Sequence, residues 1–192
     1  MSSRTTRLLA SSWVAAALFA TGPAHANLVA NGGFEMGFDG WTTSLDPLYD
    51  GVDVLTVHEG KFAAFFGGAD SSASQTLTTV AGNKYQLSFW LTAEDNLGFD
   101  KPNSFSVDVD GNILMALTDV SAFGYTEYQF DFVATGATTD LTFNFGQLYS
   151  YWDLDSVNVR LPEPGSIGLL AAAGLAGIAA GRRRKTTTTT ST

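Results

Sequence analysis

The sequence predicts an all-β domain, a β-sandwich of jelly-roll type, set between two terminal segments of different character. Three observations predict it. Four runs alternate apolar and polar residues: Tyr85–Leu91, Phe105–Val109, Tyr128–Phe132 and Leu141–Phe145 each place large apolar side chains on one parity. Such runs recur every ten to twenty residues between clusters of Gly, Asn, Asp and Pro, and almost nothing has helical period. There is no cysteine, so no disulfide framework is available and the fold must rest on its core.

The chain begins with a removable address. Arg4 and Arg7 precede an apolar stretch from Leu8 to Ala20, followed by Ala24-His25-Ala26. A cationic start, a short apolar run and an Ala-x-Ala site form a signal peptide, which signal peptidase is expected to cut between Ala26 and Asn27. The export signal is therefore residues 1–26, and the folded domain residues 27–161, large enough to bury a real core.

Within the domain, Val52–Val57, Ala73–Val80 and Ile113–Leu117 are further strands. Lys61–Phe66 is apolar on both parities after its first residue and reads as a central strand. Asp110-Gly111-Asn112 marks a tight hairpin. The last strand carries Trp152-Asp153-Leu154-Asp155-Ser156-Val157-Asn158-Val159. Asp155 shares parity with Val157 and Val159 but Leu154 does not, so either a bulge sits at Asp155-Ser156 or Asp155 points inward.

The domain is strongly acidic. Residues 27–161 hold 18 Asp and Glu against Lys61, Lys84, Lys101 and Arg160, a net −14, whereas the whole chain carries −9. Nucleic acid is excluded as a partner, because its phosphates would be repelled. Divalent cations and neutral glycans suit such a surface, and acidity alone also keeps an exported protein soluble.

After the domain come Pro162-Glu163-Pro164, an uncharged Gly/Ala/Leu/Ile run from Gly165 to Gly181, the cluster Arg182-Arg183-Arg184-Lys185, and a hydroxylated tail, residues 186–192, expected to be disordered. As a helix the apolar run would reach roughly 25 Å, slightly short of a hydrocarbon core. The cations hold its far end in the cytoplasm and leave the domain outside. This ordered combination over residues 162–185 resembles the PEP-CTERM sorting signal of bacterial exported proteins. The resemblance implies transient membrane insertion, processing near the Pro-Glu-Pro by an exosortase, and delivery to the cell surface or extracellular matrix. The tail beyond Lys185 departs from that pattern.

Asn31-Gly32-Gly33-Phe34-Glu35 with Gly40-Trp41, closed by the Leu154-Asp155-Ser156-Val157 strand, resembles the galactose-binding-like jelly rolls, which include many carbohydrate-binding modules. That resemblance implies a structural Ca²⁺ joining Glu35 to Asp155, with backbone carbonyls completing the shell. Ser156 stands where relatives often carry a second Asp, so one ligand is expected to be missing.

Catalysis finds little support in the residues. His58 is the one histidine of residues 27–161, with no evident serine partner. The carboxylate pairs Asp108/Asp110 and Asp153/Asp155 each lie on one strand, whereas a glycosidase needs two across a cleft. Sugar stacking is a better prospect, because exposed aromatics beside polar groups form such sites. Trp90, on the polar parity of its strand, and Gln147, Tyr149, Tyr151 and Trp152 before the last strand are the candidates, whereas Trp41 is expected in the core. The expectation is a non-enzymatic surface or matrix protein associated with exopolysaccharide in biofilm or floc. The alternatives are a glycan-binding module with a defined ligand, and an adhesion protein with none.

Overall fold

The computed structural model describes residues 26–95 and 102–162. The body of the signal peptide, Glu163, Pro164, the apolar run and the basic cluster Arg182–Lys185 lie outside the described residues. Among those described there is no helix, hence none long and apolar enough to cross a membrane.

Ten strands form two antiparallel five-stranded sheets. They are β1 (Thr42–Ser44), β2 (Asp50–Asp53), β3 (Ala63–Phe66), β4 (Ser71–Thr78), β5 (Lys84–Ala93), β6 (Ser104–Val109), β7 (Asn112–Thr118), β8 (Phe123–Val133), β9 (Thr138–Gly146) and β10 (Trp152–Arg160). One sheet has the order β1-β4-β9-β6-β7 and the other β2-β3-β10-β5-β8. The predicted all-β sandwich is present.

The alternation sets the core. Leu87, Phe89 and Leu91 from one sheet and Phe105, Val107, Leu141 and Phe143 from the other are fully or nearly fully buried. Aromatic rings close the gap between the sheets: Phe66 stacks on Phe145 at 3.8 Å, and Phe89 meets Phe143 edge-on at 5.2 Å. Trp41 joins this core as expected, stacked on Phe34 at 5.2 Å with its indole N–H donating to the Asn31 carbonyl. Asp110 and Gly111 both have positive φ, 50° and 76°, the two-residue turn that Asp-Gly permits between β6 and β7.

The segment 52–57 departs from the expected strand. β2 ends at Asp53, Val54 and Leu55 are exposed, and residues 54–62 fold back as a strap across the outer face of the second sheet. In that sheet β3 is interior, between β2 and β10, but only its four residues Ala63–Phe66 pair. Below the end of β3, residues 27–32 take over the freed edge of β10. The Leu28 N–H donates to the Val159 carbonyl, and the Val157 N–H to the Gly32 carbonyl.

Strand direction separates two ends of the sandwich. Asn27, Leu161, the β6–β7 hairpin and the β4–β5 and β8–β9 turns share one end, the tail end. The opposite, loop end carries residues 45–49, 67–70, 119–122 and 147–151.

Candidate ligand-binding surfaces

The strapped face is built from the outward parity of β10, β5 and β8. Here the ambiguity at Asp155 resolves: the register shifts between Asp155 and Asn158, with Ser156 at φ 54°, so a bulge is present. Leu154 and Val157 both reach the core, while Asp155, also fully buried, lies under the strap. Its Oδ2 accepts the N–H groups of His58 and Glu59, each at 3.0 Å, and its Oδ1 that of Ser156 at 2.6 Å. Burial pushes its carboxyl above the usual range, and those three amides oppose the rise.

Glu35 holds the end of the same strap. Its Oε1 accepts from the N–H groups of Lys61 at 2.6 Å and Phe62 at 3.1 Å, which draw its pKa below the ordinary value. Gly60 is required at the turn: its φ is 81°, and a Cβ there would sit 2.1 Å from Glu35 Oε1. Thus the two residues expected to share Ca²⁺ do converge on one strap, but five amide N–H groups point at their oxygens. Inward N–H dipoles are the wrong polarity for a cation. As placed, the set does not fit a Ca²⁺ cage.

Over the centre of this face the His58 ring stacks on Trp90 at 3.8 Å, with Tyr125 edge-on at 5.4 Å. The Tyr125 hydroxyl donates to the Thr56 carbonyl, and the Thr56 hydroxyl to Glu94. Trp90 is therefore on the outward parity, as expected, but His58 covers one face of its ring. His58 also has a serine partner that sequence spacing did not reveal: Ser156 Oγ lies 3.2 Å from its Nδ1. The pair does not extend to a triad, because Asp155 holds the backbone N–H of His58 rather than its ring. Beside them Asp153 is buried, its Oδ2 has no hydrogen-bond partner among the described residues, and its pKa is pushed up to about 8, first by burial and then by Glu94 and Asp53.

The other predicted residues gather at the loop end, and not all face solvent. Trp152 is a correction. It opens β10 on the inward parity, is wholly buried, and donates from its indole N–H to the Gly146 carbonyl, so no ligand can stack on it. Tyr151 packs edge-on against Phe65 at 5.6 Å. Tyr149 is exposed, as are Leu148 and, from the facing loop, Leu48 and Tyr49. Gln147 is buried and lines a cleft of about 320 Å³ with Ala69, Pro102, Asn103, Asp119 and Leu148.

Asp50 was not singled out by sequence, yet it organises this end. Its carboxylate, nearly buried, accepts from the N–H groups of Asp46, Gly67 and Gly68 and from the Ser71 hydroxyl, at 2.5 to 2.9 Å. The loops beside the cleft are thereby tied to one charge-assisted cluster.

Comparison with known proteins bears on both fold and tail. Solved structures with the same fold include TmCBM61 in complex with beta-1,4-galactotriose, at 18% identity and a TM-score of 0.58 over 71% of this chain and 99% of that one. A second, family 16 carbohydrate binding module-2, gives 19% identity and 0.51 over 69% and 99%. The K1 cleaved adhesin domain of Lys-gingipain from Porphyromonas gingivalis W83 gives 15% and 0.54 over 68% and 96%. No curated protein matches the chain. Residues 161–185 match the PEP-CTERM protein-sorting motif, as the tripartite tail led us to expect. Residues 40–151, more than half of the chain, match a single family, and the protein is a member of that family, described as protein of unknown function DUF642.

Proposed function

We propose that this protein is exported, inserted transiently through its C-terminal segment, processed by an exosortase, and retained at the cell surface or in the extracellular matrix, where it associates with exopolysaccharide without catalysis. The observation that carries this reading is the sorting motif at residues 161–185, which starts one residue after β10 ends at Arg160. The tail end of the sandwich is therefore the end that leads into the sorting motif, and the loop end is the opposite one. At about 3.3 Å per residue, β10 sets the cleft roughly 30 Å from the attachment point.

A glycan as the bound partner is favoured by the loop end. Exposed Tyr49 and Tyr149 and an open cleft with an amide at its base are the parts that sugar recognition uses. The jelly-roll fold shared with carbohydrate-binding modules supports that choice at the level of fold.

The test is intact mass spectrometry of protein recovered from the host's extracellular fraction. The expected species begins at Asn27 and ends near Pro162, with or without an added group. A species that retains Arg182–Thr192 would defeat the sorting step and remove the main support for a matrix role.

A further inference from the structure

We propose that the free edge of β7 pairs with the same edge of a second copy of this chain, antiparallel and centred on Ala116, so that the two copies point their tail ends in opposite directions. β7 is the last strand of its sheet and is bonded to β6 on one side. Among the described residues no backbone hydrogen bond reaches its other side. An open strand edge is a template for another strand, and folded proteins shield such edges by shortness or by charge. Three of the four sheet edges here are shielded in this way. β1 has three residues; β2 has four, including Asp50 and Asp53; β8 is long but carries Glu127 and Asp131. β7 has seven residues, Asn-Ile-Leu-Met-Ala-Leu-Thr, with no charge and no proline.

Charge selects the occupant. Residues 27–161 carry a net −14, so two copies repel wherever their charged surfaces meet, whereas nothing between Asp110 and Asp119 is charged. A bulge limits the usable run: Met115 pairs with Val107 and Ile113 with Asp108, so Leu114 is the extra residue and the hairpin end bends away. The straight run is 115–118. Centring on Ala116 sets Met115 opposite Leu117 of the second copy, twice, on the side where both are only half-buried against the core. On the outer side it sets the small, exposed Ala116 against its twin. A centre at Met115 would instead bring Asp119 beside Asp110 of the second copy, a like-charge contact. β7 runs from the tail end to the loop end, so antiparallel pairing inverts the second copy. The two β6–β7 turns then lie roughly 40 Å apart along the strands. That arrangement suits copies held on two facing surfaces rather than side by side on one. A contact of so few residues is weak singly and gains strength where many copies meet at once.

The test is sedimentation velocity of the full-length protein purified from its host in neutral detergent, over a concentration series up to the solubility limit. Melting temperatures are read in parallel. The variants are Ala116→Lys and Ala116→Glu, at a position that bears no core packing. We expect a wild type that dimerises, each variant alone roughly tenfold weaker, and an equimolar mixture of the two restored to the wild-type level. Because the chain has no cysteine, single cysteines report orientation. Ala116→Cys, opposite its twin, should give a disulfide-linked dimer on oxidation. Ile113→Cys, exposed but roughly 20 Å from its twin, should not. A wild type that stays monomeric throughout, or charge variants that associate as the wild type does, overturns the proposal. A mixture no better than its components overturns the pairing of this edge with itself. Cross-linking through both cysteines overturns the antiparallel arrangement. None of these readings involves a sugar or tail processing, so failure here leaves the proposed function standing.

Discussion

Replacing Asp153 by asparagine tests whether a protonated carboxyl sits beneath the strap. Asp153 is 3% exposed, its Oδ2 has no partner among the described residues, and Glu94 and Asp53 add like charge. Its pKa is raised from 3.8 to about 8 in the fold. In the unfolded chain it ionises near pH 4; in the folded chain it keeps its proton until about pH 8. Between those values the native state holds one more proton than the unfolded state, so stability falls as pH rises. The slope is about 1.4 kcal/mol per pH unit, and from pH 5 to pH 8 the loss reaches up to about 4 kcal/mol. For a domain of this size that is on the order of 10 °C in melting temperature. Asparagine fills the same space and never ionises. The Asp153→Asn protein should match the wild type near pH 5, exceed it increasingly toward pH 8, and show a shallower dependence throughout. The assay is chemical denaturation of both proteins across that range, with the difference between them isolating this one group. Parallel curves for the two proteins would refute the assignment.

Other outcomes follow from the same geometry. Asp50→Ala leaves the N–H groups of Asp46, Gly67 and Gly68 and the Ser71 hydroxyl without their acceptor, and should cost about 3 kcal/mol or more in urea unfolding. A loss under 1 kcal/mol would show that water replaces the carboxylate. Trp152→Ala should destabilise by about 3–5 kcal/mol, whereas Tyr149→Ala, on an exposed side chain, should leave the melting temperature nearly unchanged. Because Glu35 and Asp155 face amides, chelator should leave the melting temperature unchanged. A Ca²⁺-dependent rise that Glu35→Gln abolishes would show the carboxylates exchanging amides for an ion.

Sequence made the sandwich legible wherever a strand has one dry face. The alternations of β5, β6 and β9 became core, and Asp110-Gly111 became the turn it encodes. Residues 54–57 misled because Val54, Leu55 and Val57 continue a strand-like pattern. What turns the chain away lies far off in sequence: His58 and Glu59 are bonded to Asp155, 97 and 96 residues on. Trp152 was misplaced for a local reason. By sequence it belongs to the loop before the last strand, but β10 begins at Trp152, which pairs with Phe66 and Ala93 and shares the inward parity of Leu154. Asp50 carried no pattern of its own, and Gln147 was a candidate only as the polar neighbour of Tyr149 and Tyr151. Their importance depends on loops from separate strands meeting at one end, which no spacing along the chain expresses.

The placement of β10 has a mechanical consequence. It is the middle strand of its sheet, zipped to β3 and β5, and its far end carries the chain directly into residue 161. Asn27 stitches the start of the domain to that same strand, donating to the Val157 carbonyl and accepting from the Val159 N–H. A pull between the loop end and the tail therefore runs along the strand, and its ladder bonds are loaded together in shear rather than peeled one at a time. A load applied at Leu161 is thus spread over the whole length of β10.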